Sequence, residues 1–184
     1  MRLLICIISC LCFNLTNAQS TKLIKQIDIG GIRGIQLSKT FPILKIGGTA
    51  QLTISKEFGK YIQAGAGVGF IQLDREDFVP VYLYVKGIKK EKENSFFFET
   101  AVGYSKGNNY DFNSSLSSRF SAGVYFSPGF GYQYIVNENW AVSSSISYVL
   151  QKAKLDQINE NQEVYYTEPL SIDLIVFKIG VIIR

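Results

Sequence analysis

Four charged residues stand where side-chain chemistry could be done: Lys45, Lys86, Glu99 and Lys178. Each falls on the polar side of a segment whose other side is apolar, and together they carry both signs. Such a set can form a paired internal network, or it can line a gated pore or ligand site. The paired network is the expected reading, because burying unpaired charge is costly and pairing is the default remedy. Asp28 and Arg33 are further candidates for the same face, depending on the register of the first segment. Histidine is absent from the whole chain. Its absence removes Ser-His-Asp, Cys-His and Asp-His hydrolases and His-ligated metal centres, so no enzyme activity, no catalytic residue, no metal and no cofactor are expected. The run Gly65-x-Gly67-x-Gly69 superficially suggests a nucleotide loop, but it lies inside an alternating segment with no helix after it. Asn113-Ser-Ser is a formal glycosylation sequon in a polar stretch, and Lys89-Lys90-Glu91-Lys92-Glu93 reads as a solvated turn.

The segments that must position these charges repeat with a period of two. Over 44–55 the even positions Leu44, Ile46, Gly48, Ala50, Leu52 and Ile54 face away from Lys45, Gly47, Thr49, Gln51, Thr53 and Ser55. That is the pattern of a strand with one apolar and one polar face. The same test predicts strands over 61–73, 96–105, 120–134 and 142–150, and less cleanly over 79–86 and 171–183. A first strand over 27–37 contains the Gly30-Gly31 pair, which could mark a bulge that shifts the register. Pro128 sits in mid-strand and cannot donate a ladder hydrogen bond, so a bulge or bend is expected there.

Eight strands result, most of ten or more residues. This exceeds the ~5–6 residues typical of globular sheets and matches the ~9–11 tilted residues that cross a bilayer. An even number of antiparallel strands can close without leaving an unpaired edge, as lipid demands. Counting from a periplasmic N-terminus, the connections 56–60, 89–94 and 137–139 are short turns, whereas 106–119 and 152–168 are longer loops. Aromatic residues collect at the strand ends: Phe58, Tyr61, Phe96, Tyr134 and Trp140 at the turn end, and Phe41, Phe70, Phe78, Tyr104, Phe120 and Tyr148 at the loop end. Two belts of amphipathic rings are what two membrane interfaces favour.

The chain has 184 residues, 47% hydrophobic and 14% aromatic, with a formal net charge of +4. Residues 1–18 read as a cleavable signal: Arg2, an apolar run from Leu3 to Phe13, then Thr16-Asn17-Ala18, with cleavage after Ala18. All three cysteines, Cys6, Cys10 and Cys12, lie in it, so the mature domain 19–184 is expected to contain no disulfide. Removal of Arg2 leaves 18 basic against 15 acidic residues, too mild an excess for a nucleic-acid partner.

With these strands laid out, the chain resembles the small eight-stranded outer-membrane barrels. It is most similar to the OmpA/OmpX-like outer membrane protein beta-barrel group common in Bacteroidetes. The resemblance rests on Phe126-Ser-Pro-Gly-Phe-Gly131, on Asn137-Glu-Asn-Trp-Ala-Val142, and on the final strand. One departure is the ending Ile183-Arg184, where such barrels usually place an outward aromatic. The resemblance implies an all-β fold, an eight-stranded antiparallel up-and-down transmembrane β-barrel in the bacterial outer membrane. It also implies a lipid bilayer and the outer-membrane insertion machinery as partners, and a monomeric state. The expected function is a structural or surface-interaction role through the loops 106–119 and 152–168, with a side-chain-filled lumen and an unidentified extracellular partner. The alternative is a secreted, soluble, lipocalin-like barrel that binds a small apolar ligand, with its apolar face turned inward.

Overall fold

The computed structural model describes residues 23–37, 42–59, 61–73, 76–91, 94–109, 117–121, 123–158 and 164–184. They form nine strand segments: β1 (Leu23–Leu37), β2 (Pro42–Phe58), β3 (Ile62–Gln72), β4 (Glu76–Glu91), β5 (Asn94–Asn109), β6 (Ser117–Ser121), β7 (Gly123–Ile135), β8 (Trp140–Ile158) and β9 (Val164–Ile183). Because β6 and β7 are separated by one position and both pair with β8, they act as one stave. The result is a closed barrel of eight antiparallel staves, sealed by pairing of β1 with β9 and of β9 with β8.

The register fixes the shape. Following paired residues once around the barrel from Trp140 gives Ile183, Lys25, Ile54, Ala66, Leu83, Val102, Phe126 and finally Leu150. The path returns to β8 ten residues above its start, which is the shear of the barrel. With strands ~4.8 Å apart and a rise of ~3.3 Å per residue, that shear over eight staves requires a tilt of roughly 40°.

Several expectations are corrected by this register. No bulge occurs at Gly30-Gly31: β1 keeps one unbroken register with both β2 and β9 across the pair. A register shift does occur in the β8–β9 ladder, between Gln157 and Ile158. Pro128 causes a gap rather than a bulge. The β7–β8 ladder runs in constant register from Phe126↔Leu150 to Gly129↔Ser147 and skips the two pairs between. Those are the pairs that need an N–H at position 128. Pro80 does the same in the β3–β4 ladder between Val68↔Val81 and Ile71↔Phe78. Closure on the other side of each proline strand explains why the missing donors are tolerated. The expected loops 106–119 and 152–168 are strand at both of their ends, since β5 runs to Asn109, β6 starts at Ser117, β8 runs to Ile158 and β9 starts at Val164. Hairpin ladders need only backbone pairing, so strands extend beyond the point where apolar alternation stops.

At the turn end, Gly59 takes a positive φ of 71° between β2 and β3, a conformation suited to glycine. The β7–β8 turn is tied by Asn137, whose Oδ1 accepts from the backbone N–H groups of Asn139 and Trp140, both at 2.9 Å. Arg184 N–H adds a bond to the Asn139 carbonyl at 3.0 Å, pinning the end of β9 beneath that turn.

Alternation then sorts the side chains. Thirty-two large apolar side chains among the described residues are exposed, thirty of them at outward strand positions from Leu23 on β1 to Val181 on β9 and two, Tyr61 and Val136, in turns. Inward positions are buried and fall into three zones. A cluster including Ile32, Ile71, Leu73, Phe78, Val149, Ile172, Leu174 and Val176 fills the loop end. Ile24, Ala141 and Ile182 close the turn end with Ile135 against them. Polar residues fill the space between.

Candidate functional site

The polar zone is built from inward positions of seven staves. Glu99 on β5 is its hub. Its Oε1 accepts from Lys178 Nζ on β9 at 2.7 Å, an ion pair, and from Ser147 Oγ on β8 at 3.3 Å. Its Oε2 accepts from the Tyr84 hydroxyl on β4 at 3.0 Å. The Lys178 ammonium also donates to Gln51 Oε1 on β2 at 3.5 Å. The Gln51 amide in turn reaches the Tyr125 hydroxyl on β7 at 3.4 Å. Tyr125 and Tyr82 lie with ring centroids 5.7 Å apart, and the Tyr82 hydroxyl shares a 3.0 Å hydrogen bond with Thr53 Oγ1. One ion pair and its satellites therefore tie β2, β4, β5, β7, β8 and β9 across the lumen.

Lys86 belongs to a second arm. It lies opposite Glu99 in the β4–β5 register, directly rather than diagonally as a turn centred near Glu91-Lys92 would give. The ladder pairs Glu91 with Asn94, which shifts the pairing by two residues. Direct opposition does not make the two an ion pair here. The Lys86 ammonium instead donates to Gln133 Oε1 at 3.0 Å and sits 3.9 Å above the Phe97 ring centroid. A desolvated cation over an aromatic face is favourable by about 2 kcal/mol. Lys86 is wholly inaccessible to solvent. Asp28 on β1 is buried too, and its two carboxylate oxygens both accept from Gln26 Nε2 at 2.9 Å. Among these central groups two acids face two bases, so the zone is neutral in sum.

Room for these side chains comes from inward glycines. A Cβ at Gly67 would overlap the Tyr82 ring, and one at Gly180 would overlap the Asp28 carboxylate. The glycine-rich strand β3 is therefore a packing device, and no helix follows it to make a phosphate loop.

The sequence-predicted residues are placed as follows. Lys86, Glu99 and Lys178 meet in the lumen with Asp28. Arg33 points outward and is exposed. Lys45 lies on β2 opposite Gly34, and its side chain falls outside the described ones. Of the aromatics, Phe58, Phe96, Tyr134 and Trp140 are exposed on the outer wall near the turn end, and Tyr61 is exposed in the β2–β3 turn. Phe70, Tyr104 and Tyr148 are exposed on the outer wall toward the loop end. Phe120 lies in β6 with its side chain outside the described ones, and Phe41 is outside the described residues. Phe78 is corrected: it points inward and is fully buried, because it shares the parity of Tyr82 and Lys86 on β4. Sequence reasoning missed Tyr125 as a lumenal group. The signal was present, since Tyr125 shares the parity of Ser127 and Gln133 on β7.

Chemically, each central charge has a hydrogen-bond partner, Glu99 and Lys178 in each other, Lys86 in Gln133 and Asp28 in Gln26, and the described residues contain no cluster of three acid, cysteine or histidine side chains suited to a metal. The arrangement is a brace across the barrel.

No protein-family model matches the chain, and no curated protein matches it either. Solved structures do. Neisserial surface protein A (NspA) superposes with a TM-score of 0.66 at 9% identity, covering 90% of this chain and 99% of that one. The outer membrane protein AlkL gives 0.58 at 13% identity, with 90% and 93% covered. The outer membrane protein OprG from Pseudomonas aeruginosa gives 0.55 at 13% identity, with 89% and 96% covered. At these identities the likeness establishes the fold.

Proposed function

We propose that this chain is a non-enzymatic outer-membrane β-barrel with a side-chain-filled lumen, which acts outside the cell through the loops 106–119 and 152–168. The observation that carries the reading is the reversed hydrophobicity of the barrel: an outer wall of exposed Ile, Leu, Val and aromatic side chains around a buried ionic centre. Water would not tolerate so large an apolar surface on a monomer, and a hydrocarbon layer requires it. A lipocalin-like barrel would place the apolar face inside, the opposite of this distribution. The lumen is occupied by apolar clusters at both ends and a hydrogen-bonded zone between them, which supports a structural rather than a conducting role. AlkL and OprG are outer-membrane proteins by description, which agrees with this location. In this reading residues 1–18 are a signal removed after Ala18, the insertion machinery delivers the chain, and the barrel is a monomer.

The protein should migrate faster on SDS gels unboiled than boiled, because a closed ladder survives the detergent. A single mobility with solubility in detergent-free buffer would refute the membrane reading. Planar bilayers containing the protein should show no large, stable conductance. Porin-like currents would refute the filled lumen.

Orientation has its own test. Signal removal takes Cys6, Cys10 and Cys12 with it, so an introduced thiol is the only one present. Ser115→Cys, between β5 and β6, should react in intact cells with a bulky maleimide that the outer membrane excludes. Glu93→Cys, in the β4–β5 turn, should react only after lysis. The reversed pattern would put the loops 106–119 and 152–168 in the periplasm.

A further inference from the structure

Most glycines in the barrel are demanded by its own packing or, at Gly59, by a positive φ; the outward Gly31, Gly48 and Gly87 are not, and of these only Gly31 and Gly48 stand side by side. A Cβ at Gly31 would meet nothing within 4 Å, and one at Gly48 would touch only the Gly30 carbonyl oxygen at an ordinary 3.8 Å. Gly31 and Gly48 are paired directly across β1 and β2, and both occupy outward positions. Two adjacent staves therefore lack side chains at one spot on the apolar wall. Glycine weakens a strand, and where the protein's own packing does not need it, close approach of an outside group is the remaining reason.

The notch is the upper part of a groove of about 880 Å³ on the outer wall, bounded by Ile29, Phe177, Ile179 and Ser144 as well as by the two glycines. The next outward residue above Gly31 on the same strand is Arg33, which is exposed. Among the described residues Arg33 has no ion-pair or hydrogen-bond partner. The outward carboxylate on the neighbouring stave, Asp173, opposite Ile35, accepts the Tyr148 hydroxyl. The lining of the groove on β1 stops at Gly31, and Arg33 is the next outward side chain beyond it toward the loop end. Guanidinium forks bind phosphate oxygens in bidentate fashion.

We infer that the Gly31–Gly48 notch and Arg33 form a binding site for a phosphate-bearing lipid of the surrounding leaflet, with an acyl chain in the groove and the phosphate on Arg33. The inference rests on the membrane reading above. Charge complementarity selects this occupant over a second barrel, since an outward cation at the rim of an apolar groove matches a lipid's own order of head group and chain.

The test uses protein extracted from membranes into dodecyl maltoside, which carries no phosphate, with bound lipid read by native mass spectrometry. Bisphosphorylated lipid A and its dephosphorylated form are the two probes. The wild type should retain the phosphorylated form preferentially. Arg33→Gln should weaken that form by about tenfold, the worth of a charge-assisted contact, and leave the dephosphorylated form unchanged. Arg33→Lys should recover part of the loss. Gly31→Leu should weaken both forms alike, and the open space around Gly31 lets the variant fold, as unboiled gel mobility will confirm. Variants that are folded and bind like the wild type would overturn the site. A wild-type dimer dissolved by Gly31→Leu would overturn it in favour of a second copy. A protein that stays folded without detergent and retains neither lipid would overturn the membrane reading along with the site.

Discussion

Glu99→Gln is expected to be the most damaging conservative change in the lumen, lowering unfolding stability by about 3–5 kcal/mol. That is the usual result of leaving one partner of a buried ion pair uncompensated. The amide keeps the shape: its oxygen at the Oε1 position can still accept from Ser147, and its NH2 can donate to the Tyr84 hydroxyl, so one hydrogen bond is reversed while the charge is lost. It leaves Lys178 and Lys86 both positive in a zone where only Asp28 is negative. Urea titration in detergent or lipid vesicles, followed by fluorescence of Trp140, the chain's single tryptophan, measures it directly. The double variant Glu99→Gln/Lys178→Met should be more stable than Glu99→Gln alone, because the orphaned cation is gone. A matching cycle with Lys86→Met should give a smaller coupling, since the Lys86 ammonium is held by Gln133 and Phe97. Strictly additive effects at Glu99 and Lys178 would mean that their 2.7 Å contact contributes no net stability.

This hierarchy of couplings could not be read from sequence. Alternation places Lys86, Glu99 and Lys178 on one face, and the turn places Lys86 near Glu99, but partners across a barrel depend on shear. Lys178 on β9 meets Glu99 on β5 only because the register accumulates a ten-residue offset around the ring. Local patterns carry no record of that offset. Strand identity was far more legible. The segment 44–55 alternates over its whole length and lies within β2, with its apolar side on the outer wall and its polar side in the lumen. Alternation fades where both faces are apolar. In β9 the run Ile172 to Phe177 contains inward Ile172, Leu174 and Val176 beside outward Ile175 and Phe177, interrupted only by Asp173. In β1, Ile24 and Ile32 point in while Ile27 and Ile29 point out, which is why its parity, and with it the choice between Asp28 and Arg33, stayed open. Phe78 was misplaced for a related reason: an aromatic near a strand end suits a membrane belt and an end plug equally well.

The second large effect separates the two solvents that the outer wall could face. Leu83 lies at the middle of the outward series Val79, Val81, Leu83, Val85 and Gly87 on β4, and is 71% exposed. Its paired neighbours are Ala66 on β3 and Val102 on β5. The aromatic rings of Tyr61 and Phe96 lie toward the turn end, and Phe70 and Tyr104 lie toward the loop end. If that wall sits in hydrocarbon, Leu83 is near the midplane, and Leu83→Arg should cost about 2–4 kcal/mol in lipid vesicles. If the wall faced water, the same change at an exposed position would alter stability by no more than about 0.5 kcal/mol. Val136→Arg is the internal control. Val136 is also exposed, but it lies in the β7–β8 turn beyond Tyr134, at interfacial depth, where arginine costs about 0–1 kcal/mol. The gap between the two variants therefore reads depth in the membrane rather than tolerance of arginine. Equal, small costs at Leu83 and Val136 in vesicles would show that the apolar girdle does not sit in the bilayer, and would leave its exposed side chains to be covered by protein instead.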